Sequence, residues 1–130
     1  MKISSLKIKS EEEIQFIDIT KKVNELIEDK KGGVLTVFSK HTTTGLTINE
    51  NEKRLINDIK ALLNDVVKNK EWEHDKIDNN AKSHLKSILL DSSISIPFKG
   101  GNLSLGTWQS LFLVEFDGPR TREILISKNS

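Results

Sequence analysis

Two arginines two positions apart, Arg120 and Arg122, follow Phe116-Asp117-Gly118-Pro119 near the end of the chain, and Gly106-Thr107-Trp108-Gln109 lies shortly before them. Two of the three arginines, one of the two tryptophans and one of the two prolines thus share a 15-residue window. Residues two apart on a strand point the same way, so Arg120 and Arg122 could grip a phosphate bidentately. The same geometry serves a carboxylate equally well, and Glu115, Asp117 and Glu123 are at hand as ion-pair partners. Trp108 beside Gln109 offers an indole to stack on a heterocycle and an amide to read its edge; a strand tryptophan also serves cores and subunit interfaces.

A second group of specialised residues is His41-Thr42-Thr43-Thr44-Gly45, between an apolar run and Leu46-Thr-Ile-Asn-Glu50. Three hydroxyls beside an imidazole could donate to a phosphate or orient a metal-bound group, while threonines are equally at home in an ordinary exposed strand. Glu50 could be a general base or a ligand, or simply a carboxylate stabilised by the dipole of the helix that follows. His41, His74 and His84 are separated by 33 and 10 residues, which matches no local metal signature. His84 is the most suggestive, because a helix there sets it beside Ala81 and Ile88, with Asn80 four residues back on the same border. His74, in a polar stretch after Trp72, reads as a solvated loop residue.

The elements that must position these groups fit one domain over residues 1–130, a length that can bury roughly two-thirds of the extended chain's surface. No cysteine is present, so disulfides, thiolate catalysis and cysteine-held zinc are excluded. No segment approaches the ~18 apolar residues needed to span a bilayer and no signal-peptide core follows Met1, so a cytoplasmic protein with no membrane partner is expected. Lys plus Arg total 20 against 19 acidic residues, with no basic stripe, and no nucleic-acid partner is expected either.

Apolar alternation marks strands at 2–9, weakly, and at 14–19, joined by the acidic run Glu11-Glu12-Glu13. Thr20 can cap a helix carrying Val23, Leu26 and Ile27, with Gly32-Gly33 closing it. Val34-Leu-Thr-Val-Phe38 is a β-rich run. Asn49 as cap, with Glu52 three residues on, opens an amphipathic helix whose stripe is Leu55, Ile59, Leu62, Leu63 and Val66. A shorter helix starts at Asp78 or Asn79, with Ala81, Leu85, Ile88 and Leu89 inward. Ser93 to Phe98 and Leu103 to Leu105 form a hairpin, and Ser110 to Phe116 with Glu123 to Ser127 a second antiparallel pair. The class expected is α+β: one domain with a largely antiparallel or mixed sheet and about three helices.

His41-Thr-Thr-Thr-Gly-Leu-Thr-Ile-Asn-Glu50, Asp78-Asn-Asn-Ala-Lys-Ser-His84-Leu85, Leu105-Gly-Thr-Trp-Gln109 and Glu115-Phe-Asp-Gly-Pro-Arg-Thr-Arg122 together resemble the YjbQ-like family, described as a secondary thiamine-phosphate synthase family. The resemblance covers residues 5–127. It implies a compact α+β subunit, assembly as a homotrimer, and a pocket near a subunit boundary. It also implies a metal or catalytic cluster of His41, His74 and His84 with Glu50 nearby, zinc being the first guess and magnesium the second. The helix motif departs from the family's usual Asp-Asp-Asn-Ala-His-Ala-His-Leu: Asn79 replaces the second acid and Lys82 the first histidine, so a second metal is less expected.

The resemblance implies a transferase that couples hydroxymethylpyrimidine diphosphate to thiazole phosphate, so the expected partner is a small phosphorylated metabolite. Arg120, Arg122 and a bound cation would face the departing oxygens, and Trp108 and Gln109 the pyrimidine. Thr43, Thr44 and Asn80 would contact substrate, with Glu50 or His84 handling protons. No acidic pair is compelled to hold magnesium, which speaks against a dedicated enzyme of this kind. The alternatives are a non-catalytic trimeric binder of metal or metabolite, and a metal-dependent hydrolase of a phosphate or ester.

Overall fold

The computed structural model describes residues 2–28 and 31–129. Among the described residues, eight strands form two antiparallel sheets. Strands β1 (Lys2–Lys9), β3 (Gly32–Ser39), β5 (Ser93–Lys99), β6 (Asn102–Leu103) and β8 (Thr121–Asn129) make a five-stranded sheet in the order β1-β8-β3-β5-β6. Strands β2 (Gln15–Asp18), β4 (Thr44–Asn49) and β7 (Ser110–Glu115) make a three-stranded sheet in the order β2-β7-β4. Among the described residues, three α-helices complete the α+β domain: α1 (Thr20–Asn24), α2 (Lys53–Val66) and α3 (Ala81–Ser87), with a 3-10 turn at Glu73–Lys76.

Strand β7 shows why the layers stack as they do. Successive side chains of a strand face opposite sides. Leu111 and Leu113 enter the core between the sheets, with Ile8, Leu35, Val37, Ile96 and Ile126. Phe112, Val114 and Phe116 face the other way and pack with Leu63, Ile56 and Ile59 beneath α2. An apolar run without alternation is what a strand covered on both faces requires.

The two pairings expected around β5 and β7 have different outcomes. Strands β5 and β6 do form a hairpin, Phe98 opposite Leu103. Strands β7 and β8 do not pair; they lie in different sheets, β7 against β2 and β4, β8 against β1 and β3. Since β1 pairs with β8 and β2 with β7, the two chain pairs bend together from one sheet into the other at residues 10–14 and 116–120. The segment between β3 and β4 makes the same switch, so three crossings meet at one corner.

Other local expectations are corrected. Helix α1 ends at Asn24, although Val23 and Ile27 are buried as its pattern required. Gly32 and Gly33 open β3, opposite Lys99 and Phe98, rather than closing a helix; Asp29 and Lys30, within the expected helical stretch, lie outside the described residues. Helix α2 begins at Lys53, capped by the Glu52 carboxylate, which accepts the Arg54 N–H at 2.6 Å. Its stripe is only partly covered: Leu63 is buried while Leu62 and Val66 are 60% and 57% exposed. Helix α3 buries Ala81 and Lys86, Lys86 Nζ donating to Asn64 Oδ1 at 2.6 Å, while Ile88 and Leu89, just past its end, are exposed.

Candidate functional site

The corner is closed by a buried ion pair. Glu115, the last residue of β7, is fully buried, and Arg122, the second residue of β8, is 5% exposed. Arg122 Nε donates to Glu115 Oε1 at 2.8 Å, and Nη2 donates to both Glu115 Oε2 and Thr43 Oγ1. Ser10 Oγ donates to Glu115 Oε1 at 2.7 Å, and the Asp117 N–H to Oε2 at 2.9 Å. Burial by itself would raise the pKa of Glu115, but these donors, led by Arg122, outweigh it and hold the carboxyl below its ordinary value. The Glu115–Arg122 pair thus ties together all three crossings, the third through Thr43.

Gly118 permits this closeness. A Cβ there would overlap the Glu12 carbonyl oxygen and lie 2.7 Å from Ser10 Oγ, while the Gly118 N–H donates to the Glu13 carbonyl at 3.0 Å. Helix α3 docks on the same corner: Ser83 Oγ donates to the Phe116 carbonyl at 2.7 Å, and Asn80 Nδ2 to Asp117 Oδ2 at 2.9 Å.

Between α3 and the crossings lies a cleft of about 350 Å³, walled by Lys40, His41, Thr42, Thr43, Asp78, Asn80, His84, Asp117, Arg120 and Arg122. A second hollow of about 500 Å³ shares His41, Thr42 and His84 with it and is also lined by Ser87, Ile88 and Leu90. The cations of the first part are held by carboxylates. Lys40 Nζ lies 2.7 Å from Glu123 Oε1, and the hydrogen bond and charge of Lys40 keep that carboxyl below its usual range. Arg120 donates through Nε to the Asp117 carbonyl at 2.9 Å and through Nη2 to Asp117 Oδ2 at 3.3 Å.

Of the sequence candidates, the structure brings together His41, Thr43, Asn80, His84, Arg120 and Arg122. Thr44 lies behind the wall, buried, its hydroxyl 2.6 Å from that of Ser39. The arginines do not form a tandem grip: Arg120 sits in the crossing before β8, exposed, while Arg122 is buried and engaged by Glu115. His74 packs edge to face against His84, ring centroids 4.7 Å apart, and leaves its Nε2 buried without a hydrogen bond, 3.7 Å from Asp78 Oδ2. Glu50, Trp108 and Gln109 are not in the cleft. Thr44 lies opposite Glu115 and Asn49 opposite Ser110, so these three stand at the other end of the sheet, about 17 Å away at ~3.4 Å per residue. Lys40 and Asp117 are wall residues that motif reading passed over as cleft components; their signal was adjacency to His41 and Arg120.

A model of the family described as UPF0047 protein YjbQ-like matches residues 4–129. The chain belongs to the YjbQ-like family. A relative named UPF0047 protein from Methanothermobacter thermautotrophicus is 43% identical over 125 residues, covering 94% of this chain and 87% of that one. The UPF0047 protein YugU of Bacillus subtilis is 34% identical over 130 residues, covering 95% and 96%. Among solved structures, a hypothetical protein from Aeropyrum pernix K1 superposes with TM-score 0.93 at 38% identity, covering 100% of this chain and 99% of that one. A YbjQ-like protein of unknown function from Sulfolobus solfataricus gives 0.91 at 32%, covering 98% and 95%.

The metal set that the YjbQ-like resemblance implies can be tested on the donors. A metal-bound imidazole characteristically donates its second ring N–H to an acceptor. In this YjbQ-like chain the polarity at His41 is reversed: its Nε2 accepts the Glu123 N–H at 2.8 Å. Burial, and next the positive charge of Arg122, hold the His41 pKa below its ordinary value, keeping the ring uncharged. His74 and His84 meet edge to face, and among the described residues no three His, Asp or Glu side chains converge as ligands. The arrangement does not fit one ion held by His41, His74 and His84.

Proposed function

We propose that this YjbQ-like chain is an enzyme acting on a small phosphorylated metabolite bound in the corner cleft, with His84 as the proton-transfer group. The observation that carries the reading is the convergence of His41, Asn80, His84, Lys40 and Arg120 on one cavity of about 350 Å³. That size suits a small ligand, and cations already oriented by carboxylates need no reorganisation as charge develops on a departing oxygen.

The reaction the family resemblance supports is attack of the thiazole nitrogen on the methylene carbon of hydroxymethylpyrimidine diphosphate. The C–N bond forms, the C–O bond breaks, and diphosphate leaves with its electron pair. Arg120 and Lys40 would stabilise the diphosphate oxygens, and His84 would hand a proton to the leaving group. Trp108 and Gln109, at the far end of the sheet, would meet a substrate only from another subunit; the 73% exposure of Trp108 and the bare Leu62 and Val66 support the homotrimer as the working form. The carboxylate pairing of Lys40, Arg120 and Arg122 leaves the cleft little net positive charge to offset a departing diphosphate, and that favours a second reading, a metabolite-binding protein without turnover.

The test is incubation of wild type and His84→Ala with both phosphorylated substrates, following thiamine phosphate and released diphosphate, beside light-scattering mass determination. Product formation by a particle of three chains, reduced by about 10²–10⁴ in a folded His84→Ala, is the expected outcome. Binding without product selects the second reading. Neither binding nor product overturns the cleft as a phosphate site.

A further inference from the structure

We infer that His41 is a fixed, uncharged hydrogen-bond donor that offers its Nδ1–H to an acceptor oxygen of the ligand, and is not a metal ligand. The inference rests, for the ligand's chemistry, on the reading of the cleft as a phosphate site. Its own basis is the end of a β-ladder. Strand β3 pairs with β8 as far as Ser39 opposite Ile124 and then turns away at Lys40. The next exposed donor on β8 is the Glu123 N–H, and the His41 ring returns to accept it through Nε2 at 2.8 Å. The imidazole occupies the place of the carbonyl that β3 no longer supplies.

An amide at a ladder end is costly to leave unmade, so this bond locks both the ring orientation and the tautomer. With Nε2 accepting, the neutral ring carries its proton on Nδ1. No hydrogen bond among the described residues engages Nδ1, and it is not among the buried atoms left without a partner, so it is open to the cleft the ring lines. An ion at Nε2 would displace the Glu123 N–H, and one at Nδ1 would require removing the ring's remaining proton. Both outcomes oppose ligation. A phosphoryl or carbonyl oxygen, by contrast, meets a ready donor.

Two variants separate the two ends of the ring. His41→Asn places an amide N–H near the Nδ1 position and loses the ladder acceptor; His41→Gln places an amide oxygen near Nε2 and loses the donor. Inorganic phosphate is the probe, with binding measured by titration calorimetry and folding by thermal unfolding. Expected for His41→Asn is phosphate affinity within about threefold of wild type and a Tm lowered by roughly 3–6 °C, the effect of about one lost hydrogen bond. Expected for His41→Gln is a near-wild-type Tm and phosphate affinity lowered roughly tenfold. Long-range proton–nitrogen correlation of the imidazoles should show a protonated Nδ1 and a bare Nε2 for His41, unchanged by equimolar zinc. A protonated Nε2, or zinc perturbing the His41 nitrogens together with the Glu123 amide, overturns the assignment. If wild type ignores phosphate while the tautomer is as stated, the phosphate reading fails and the exclusion of His41 as a ligand stands.

Discussion

The two ends of β7 carry equally specialised residues and have been put to different uses. At one end stand Ser110, Gln109 and Trp108, with Glu50 nearby across β4. The bonds of Gln109 and Glu50 are local, Gln109 Oε1 accepting the Gly106 N–H and Asn49 Oδ1 the Glu50 N–H, and Trp108 stands in solvent; of these four it is Ser110 that reaches a distant carboxylate, Asp18, which Asn51 also joins. At the other end Glu115 receives donors from residues 10, 117 and 122, and Asn80 and Ser83 of the α3 region fasten to Asp117 and Phe116. A rare residue type marks neither end as a site. What separates them is how many distant segments converge, because only convergence builds walls around a volume.

The largest disturbance of that contrast should come from Arg122→Met, which strands the Glu115 carboxylate without its main partner. A loss of about 3–5 kcal/mol in denaturant unfolding is expected, and a double variant adding Glu115→Leu should recover part of it. Gly118→Ala comes next, since the new methyl meets backbone and the Ser10 hydroxyl; about 1–3 kcal/mol is expected.

A smaller, pH-dependent effect follows from Glu115. Its folded pKa lies below the ordinary 4.5, so its stabilisation is fully present above that value and is lost as pH falls through the folded pKa. Between pH 7 and pH 3 the wild-type Tm should fall increasingly below about 4.5, and Glu115→Gln should show a shallower decline over that acid limb. Equal slopes would remove Glu115 from the role of corner keystone. Smallest of all, Glu50→Gln and Trp108→Ala should each change stability by less than about 0.5 kcal/mol in dilute protein, as expected for a half-buried and an exposed side chain outside the buried network. A loss above ~1 kcal/mol that grows with protein concentration would show that this end is covered by another subunit.

Strand and helix identities were largely legible because periodicity is a local property. Leu111 to Val114 read as a strand and Leu55 to Val66 as an amphipathic helix without knowledge of any neighbour. Their partners were not legible. The apolar runs within Ser110 to Phe116 and Glu123 to Ser127 cannot say whether these strands pair with each other or with strands a hundred residues away. The intervening Asp117-Gly118-Pro119 reads as a hairpin turn, whereas it is a sheet-to-sheet crossing. Likewise the stripe on α2 shows which face is apolar and not whether anything covers it, so Leu62 and Val66 were expected inside and lie in solvent.

The site was legible in part and for a chemical reason. His41, Asn80, His84 and Arg120 are functional-looking types in the right places, and all four line the cleft. Arg122 could not be apportioned, since guanidinium geometry suits phosphate and carboxylate alike; a buried Glu115 settled it as an ion pair. Spacing also left the histidines open, and the direction of a single hydrogen bond at His41 carries information that no spacing contains.

By itself the sequence determined the class of the chain, its single-domain size, the positions of most elements and the family to which it belongs, because composition, period and ordered motifs are written along one dimension. Only the tertiary structure decided that three crossings meet at one corner, that Arg122 faces Glu115, that His41 completes a ladder, and that Glu50, Trp108 and Gln109 stand about 17 Å away at ~3.4 Å per residue. Those facts depend on pairings between residues as far as 126 positions apart, Lys2 opposite Lys128, for which the chain carries no local record.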